Sequence, residues 1–156
     1  MSELIVLFNG FSTMNGENQM DANCSCTLIK GTHNIIIDTM TAWDGEKIIA
    51  GDEYIINNSV KVIPTPGHTL SDVTVLVDTI DGDTVAVAGD LFEKFEDIAN
   101  PNEWLEAGSE DPEQQRKNRF KVAALVHWIV PGHGPRFQVT DKIRESLKNQ
   151  MLNLNQ

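Results

Sequence analysis

A chain of 156 residues with 40% apolar and 22% charged side chains is long enough to bury one hydrophobic core, and its composition is far from the profile of a disordered chain. Its 23 acidic against 12 basic side chains give a net charge of -11, which opposes broad electrostatic attachment to a polyanion and leaves room only for a local contact. One domain over residues 1–156 is expected; no apolar run reaches membrane-spanning length, and the opening MSELIVLFNGF lacks the pattern of a secretory leader, so a cytoplasmic or nuclear protein is expected.

The first element is the apolar run ELIVLF, read as a strand. In NCSCT, Cys24 and Cys26 fall on one face of a further predicted strand, CTLIKG, where disulfide geometry is disfavoured. They are read as free thiols, since no second Cys or His pair stands nearby to complete a zinc site. HNIIID continues the β pattern from His33 to Asp38, and a carboxylate at that strand end is read as structural support or as the orienting partner of a metal ligand. EYII and VKVI flank a short Asn-Asn-Ser turn, and VTVLV and TVAVAG flank DTIDGD, whose Asp81-Gly82 favours positive φ; both pairs predict antiparallel hairpins.

Beyond Asp90 the period changes. Asp111 as N-cap, Pro112 at the first helical position and Gln114 in capping-box register predict a helix over DPEQQRKNRFKVAALVHW. Its RKNRF segment, with Arg116, Lys117 and Arg119, is the densest positive patch of an acidic chain, a candidate substrate contact or else a solvated helix face. A second helix is predicted from the Thr140 cap, with Ile143, Leu147 and Met151 along one face. His33 and His127 read as packed or hydrogen-bonded histidines, and Trp43, Trp104 and Trp128 as core or rim residues.

One device recurs three times. TPGH ends at His68, VAGD ends at Asp90, and VPGHG contains His133, each placing a metal-ligating side chain directly after a glycine. Glycine permits a sharp change of backbone direction, so the following side chain can be aimed off the end of a sheet. A single Pro-Gly-His would read as a turn, but three such corners predict a shared rim of His, Asp and His, donors suited to zinc, iron or manganese.

The stretches IIIDTMT, VKVIPTPGHTLSDVTVLV, VAVAGDLF and VPGHGP resemble successive motifs of the metallo-β-lactamase fold superfamily. The resemblance implies an α/β (α+β) fold, an αββα sandwich with its site at one edge, in which His68 and His133 hold separate metals, Asp90 bridges them as a catalytic residue, and Asp38 supports the loops. It implies Zn2+, one or two ions, with Mn2+ or Fe2+ as substitutes. GDLFE, SEDPEQQRKNR and VPGHGPRF are similar to a branch whose implied activity is metal-dependent endoribonuclease cleavage of histone pre-mRNA. A thioester or small-ester hydrolase resembling the hydroxyacylglutathione hydrolases is the alternative.

The chain departs from the family in one respect, because the His-x-His-x-Asp-His motif is absent and TMTAWDGEKII runs straight into AGDEYII. Loss of an internal helix and strand near Ile49 to Asp52 is the expected cause. A truncated relative without turnover, with or without a retained homodimer surface, is therefore the third reading.

Overall fold

The computed structural model describes residues 3–14, 20–23, 25–31, 35–37 and 53–152. All seven expected β runs form strands. In chain order the strands are β1 (Glu3–Phe8), β2 (Phe11–Met14), β3 (Met20–Asn23), β4 (Cys26–Lys30), β5 (Ile35–Ile37), β6 (Tyr54–Asn57), β7 (Val60–Pro64), β8 (Val73–Asp78), β9 (Thr84–Gly89), β10 (Trp128–Pro131) and β11 (Phe137–Gln138). The β2–β3 hairpin and strands β10 and β11 were not expected from the apolar pattern. Asp38, Cys24, His33, Trp43 and the junction from Ile49 to Asp52 lie outside the described residues.

Six strands form a sheet in the order β11-β10-β9-β8-β7-β6, three form a second in the order β1-β4-β5, and β2 pairs with β3. Both predicted hairpins, β6–β7 and β8–β9, are antiparallel. Strand β10 instead runs parallel to β9, because the chain between them passes through a helix on one face of the sheet.

Strands β8 and β9 bury four consecutive residues each, so both faces of the large sheet are covered. Pleat alternation sorts them. Val60, Val62, Val75, Val77, Val85, Val87 and Val130 pack with Ile29, Leu4, Val6 and Ile35 of the small sheet. Ile63, Leu76, Ala86, Ala88 and Ile129 face the helices with Val122, Ala123, Ile143 and Leu147. The layers are thus small sheet, large sheet and helices; among the described residues there is no helix on the outer face of the small sheet.

The helices are α1 (Asn102–Ala107), α2 (Pro112–Leu125) and α3 (Asp141–Leu152), preceded by a 3-10 turn at Phe95–Ile98. Helix α2 starts as expected: the Asp111 carboxylate accepts the Gln114 N–H at 2.9 Å, with Pro112 in the first turn. Its buried face is polar in the first half, at Gln115, Asn118 and Arg119, and apolar in the second, at Val122 and Ala123. The polar half points to the loops at the ends of the strands. Arg144 of α3 donates to the carbonyls of Ala123 and Val126, satisfying the C-terminal end of α2. No described helix is long and apolar enough to cross a membrane.

Candidate metal centre

Three corners at the ends of β7, β9 and β10 meet under the polar half of α2. After β7, Asn118 donates its side-chain amide to Pro66 O at 2.7 Å, and Asp111 N–H donates to Gly67 O at 2.9 Å. A Cβ at position 67 would lie 2.5 Å from the backbone of Gln115, so glycine lets the helix rest on this corner. After β9, Gly89 turns the chain with φ +51°, and the Gln115 amide donates to Asp90 O at 3.0 Å. After β10, Gly132 N–H is shared by the carbonyls of Gly89 and Phe92, each at 3.0 Å. A Cβ there would meet Asp90 Oδ1 at 1.9 Å. The three glycines therefore act differently: Gly89 supplies the left-handed turn, whereas Gly67 and Gly132 supply room for close approach.

These corners bring His68, Asp90 and His133 together. His68 Nε2 lies 3.6 Å from Asp90 Oδ2, and His133 Nε2 lies 3.3 Å from Asp90 Oδ1. The sequence reading missed a fourth donor, Glu93, whose Oε2 is 3.6 Å from His133 Nε2 and whose Oε1 is 3.9 Å from His68 Nδ1. His68 Nδ1 is 2.9 Å from Gly108 O. A carbonyl can only accept, so this nitrogen carries the proton and Nε2 keeps its lone pair facing Asp90.

The donor set fits a divalent ion. Metal–ligand bonds of 2.0–2.2 Å in a tetrahedron imply donor separations of roughly 3.4 Å, close to the three shorter distances above. One potential ligand atom from each of His68, Asp90 and Glu93 lies within 4.8 Å of the others. The side chains of His68 and Asp90 are 25% and 28% exposed and form the mouth, while those of Glu93 and His133, at 10% and 11%, form the floor.

Charge at the site is unbalanced. Burial raises the Asp90 pKa, but the His133 hydrogen bond and the charges of His133 and His68 outweigh it, leaving the carboxyl below its ordinary value. At Glu93 the balance is reversed: burial and the Asp90 charge outweigh the lowering by His133 and His68 and push it up to about 7.

The loop behind the site is held by Asp97, which the sequence reading missed, and by Arg119. Asp97 accepts the N–H of Glu93 at 2.8 Å and forms a buried ion pair with Arg119, which also donates to Leu91 O at 2.9 Å. The Arg119 guanidinium stacks over Phe92 and Trp104, 4.4 and 5.2 Å from the ring centroids. This corrects the expectation of a substrate contact at Arg119, whose charge is consumed inside the core. Arg116 lies over Trp104 and Lys117 pairs with Glu113 at 2.6 Å, so the three residues do not form one exposed cluster. Ser25 ties the small sheet to the third corner: its hydroxyl accepts the Gly10 N–H at 2.9 Å and donates to Pro131 O at 2.8 Å. His127 accepts the Thr84 N–H at 2.9 Å, away from this cluster.

No family model matches the chain. A Xenopus laevis protein, metallo-beta-lactamase domain-containing protein 1, is 28% identical over 191 aligned positions, covering 86% of this chain and 80% of its own length. Proteins of that name from mouse and human are 38% and 40% identical over 61% and 57% of this chain. A solved Thermotoga maritima protein assigned to the metallo-β-lactamases, 17% identical, superimposes with a TM-score of 0.62 over 88% of this chain and 99% of its own. The chain has the metallo-β-lactamase fold, and it is related in sequence to the frog, mouse and human proteins.

The chain matches only part of the mammalian relatives. It spans about a third of the length of the mouse and human relatives, 34% and 32%. The frog alignment runs over 191 positions although this chain has 156 residues, so that relative carries segments with no counterpart here. This agrees with the absent His-x-His-x-Asp-His motif. Metallo-β-lactamase-fold proteins usually bind metal, and among the described residues the group close enough to hold an ion is His68, Asp90 and Glu93, with His133 beside the two carboxylates.

Proposed function

We propose that the chain is a metal-dependent hydrolase whose first substrate class is an RNA phosphodiester. The observation that carries the hydrolase reading is the convergence of His68 and Asp90 at the mouth with His133 on the floor, Asp90 Oδ1 and Oδ2 each lying near a different imidazole. A bound divalent ion would supply Lewis acidity toward a phosphoryl or carbonyl oxygen and would make water acidic near pH 7. His68 and His133 would hold it as neutral imidazoles. Asp90 adds negative charge between them, and its lowered pKa keeps it ionised for that role. The Gly108 carbonyl keeps the His68 ring in the tautomer that presents Nε2.

RNA is favoured by the likeness of GDLFE, SEDPEQQRKNR and VPGHGPRF to the endoribonuclease branch. A small ester or thioester is the second reading, favoured by the net charge of -11, the burial of Arg119 and the pairing of Lys117 with Glu113. Purified chain supplied with Zn2+ or Mn2+ is to be assayed against an end-labelled RNA oligonucleotide and a glutathione thioester. Metal-dependent RNA cleavage that disappears in His68→Ala supports the first reading, and thioester turnover alone replaces it with the second. No turnover of either substrate refutes the hydrolase reading.

A further inference from the structure

Glu93 is 93% buried yet carries a carboxylate, because its residue retains only 7% exposure. Such a group needs a cation or several hydrogen-bond donors, since an isolated buried carboxylate is costly. The neighbouring cations are engaged elsewhere. Lys94 pairs with Glu103 at 2.8 Å, and Arg119 is committed to Asp97. What faces Glu93 is instead a second carboxylate, Asp90, and the imidazoles of His68 and His133.

Nor is Glu93 on a loose tip. Its N–H donates to Asp97 and its carbonyl accepts the His133 N–H at 2.8 Å, so the backbone on both sides of the side chain is fixed to the third corner and to the Arg119 anchor. With two neutral imidazoles, the Asp90 and Glu93 carboxylates carry two negative charges, which one divalent ion balances. One donor atom each from His68, Asp90 and Glu93 lies within 4.8 Å of the others, and His133 Nε2 stands 3.3 Å from Asp90 Oδ1 and 3.6 Å from Glu93 Oε2, so small side-chain adjustments would bring all four onto one ion.

We infer that Glu93 is itself a ligand, and that this chain binds one divalent cation through His68, Asp90, Glu93 and His133 in place of a metal pair. The inference rests on the reading of the site as a metal centre and adds the stoichiometry and the fourth donor. Two imidazoles and two carboxylates form a borderline-hard set, suited to Zn2+, Fe2+ or Mn2+ and to Co2+ as a spectroscopic probe.

The test is a Co2+ titration of the full chain, read by calorimetry and by the visible absorption of the bound ion, for the unmodified protein, Glu93→Gln and His68→Ala. Glutamine keeps the volume and removes the charge, and circular dichroism checks that the variant is folded. The expected result is one Co2+ per chain, with affinity reduced more than about 100-fold in Glu93→Gln, beyond the loss usual for a group that only orients a ligand, and with an altered absorption spectrum for whatever ion remains bound. Unchanged affinity and spectrum in Glu93→Gln, together with lost binding in His68→Ala, would remove Glu93 from the ligand set and leave the metal centre standing. Two ions per chain would overturn the stoichiometry, and no binding by the unmodified protein would overturn the metal reading together with this one.

Discussion

Replacing Asp97 by alanine isolates the anchor behind the site. Asp97 is fully buried, accepts the Glu93 N–H and holds the guanidinium of Arg119, which is 1% exposed. Alanine would leave that guanidinium in the core with Leu91 O as its remaining hydrogen-bond acceptor and with the faces of Phe92 and Trp104 beside it. Removing one partner of a buried ion pair costs about 3–5 kcal/mol, a large share of the roughly 5–15 kcal/mol that a domain possesses. At about 2–4 °C per kcal/mol for a chain of this size, the melting temperature should fall by roughly 6–20 °C. Urea unfolding with an unchanged m-value measures the difference directly. The double variant Asp97→Ala/Arg119→Met should recover most of the loss, because it removes both charges and returns an apolar side chain to the space beside Phe92 and Trp104. A loss below about 1 kcal/mol in Asp97→Ala, or a double variant no better than the single one, would refute the argument that this pair holds the core behind the metal loop.

Gly132→Ala should weaken metal binding by about tenfold or more, by displacing Asp90 Oδ1 from the 1.9 Å approach that an added Cβ would impose, and titration calorimetry reads it. Ser25→Ala, which strips the Gly10 N–H of its acceptor, should cost about 1–3 kcal/mol in urea unfolding. The pH dependence of the metal-free protein has a definite sign at Glu93. Its folded-state pKa is raised to about 7 from 4.5, so its contribution to stability is full below pH 4.5 and is lost as pH rises through about 7. Glu93→Gln should therefore flatten that decline and be the more stable protein at pH 8, by an amount on the order of 2 kcal/mol; equal slopes in the two proteins would count against the burial of an unbalanced carboxylate.

Runs rich in Val and Ile marked the strands because both faces of the central sheet are covered and each run needs no polar residue. The Asp81-Gly82 turn and the Asp111–Pro112 helix start were legible from backbone chemistry alone. Strand β10 was hidden because LVHWIV reads equally as the end of a helix, and only its place beside β9 makes Trp128–Pro131 extended. The β2–β3 hairpin was hidden for another reason, since FSTM and MDAN have little β-branched content.

At the site, the glycine before His68, Asp90 and His133 marked three of the four gathered side chains and gave no sign of Glu93. Glu93 follows no glycine; its signal is the spacing of Asp90, Glu93 and Asp97 just past a strand end, where a turn can fold three carboxylates onto one loop. Arg119 misled the reading because a charged helix residue is ordinarily solvated, and its partner Asp97 lies 22 residues earlier in a 3-10 turn whose place is set only by tertiary packing.

The central claim is that the corners after β7, β9 and β10 hold a cation. Zn2+ titration calorimetry of the unmodified chain beside His68→Ala, Asp90→Ala and His133→Ala tests it most directly. The account predicts one ion bound by the unmodified chain and binding lost in all three variants with the fold retained. Zn2+ affinity that survives unchanged in any of the three would contradict it.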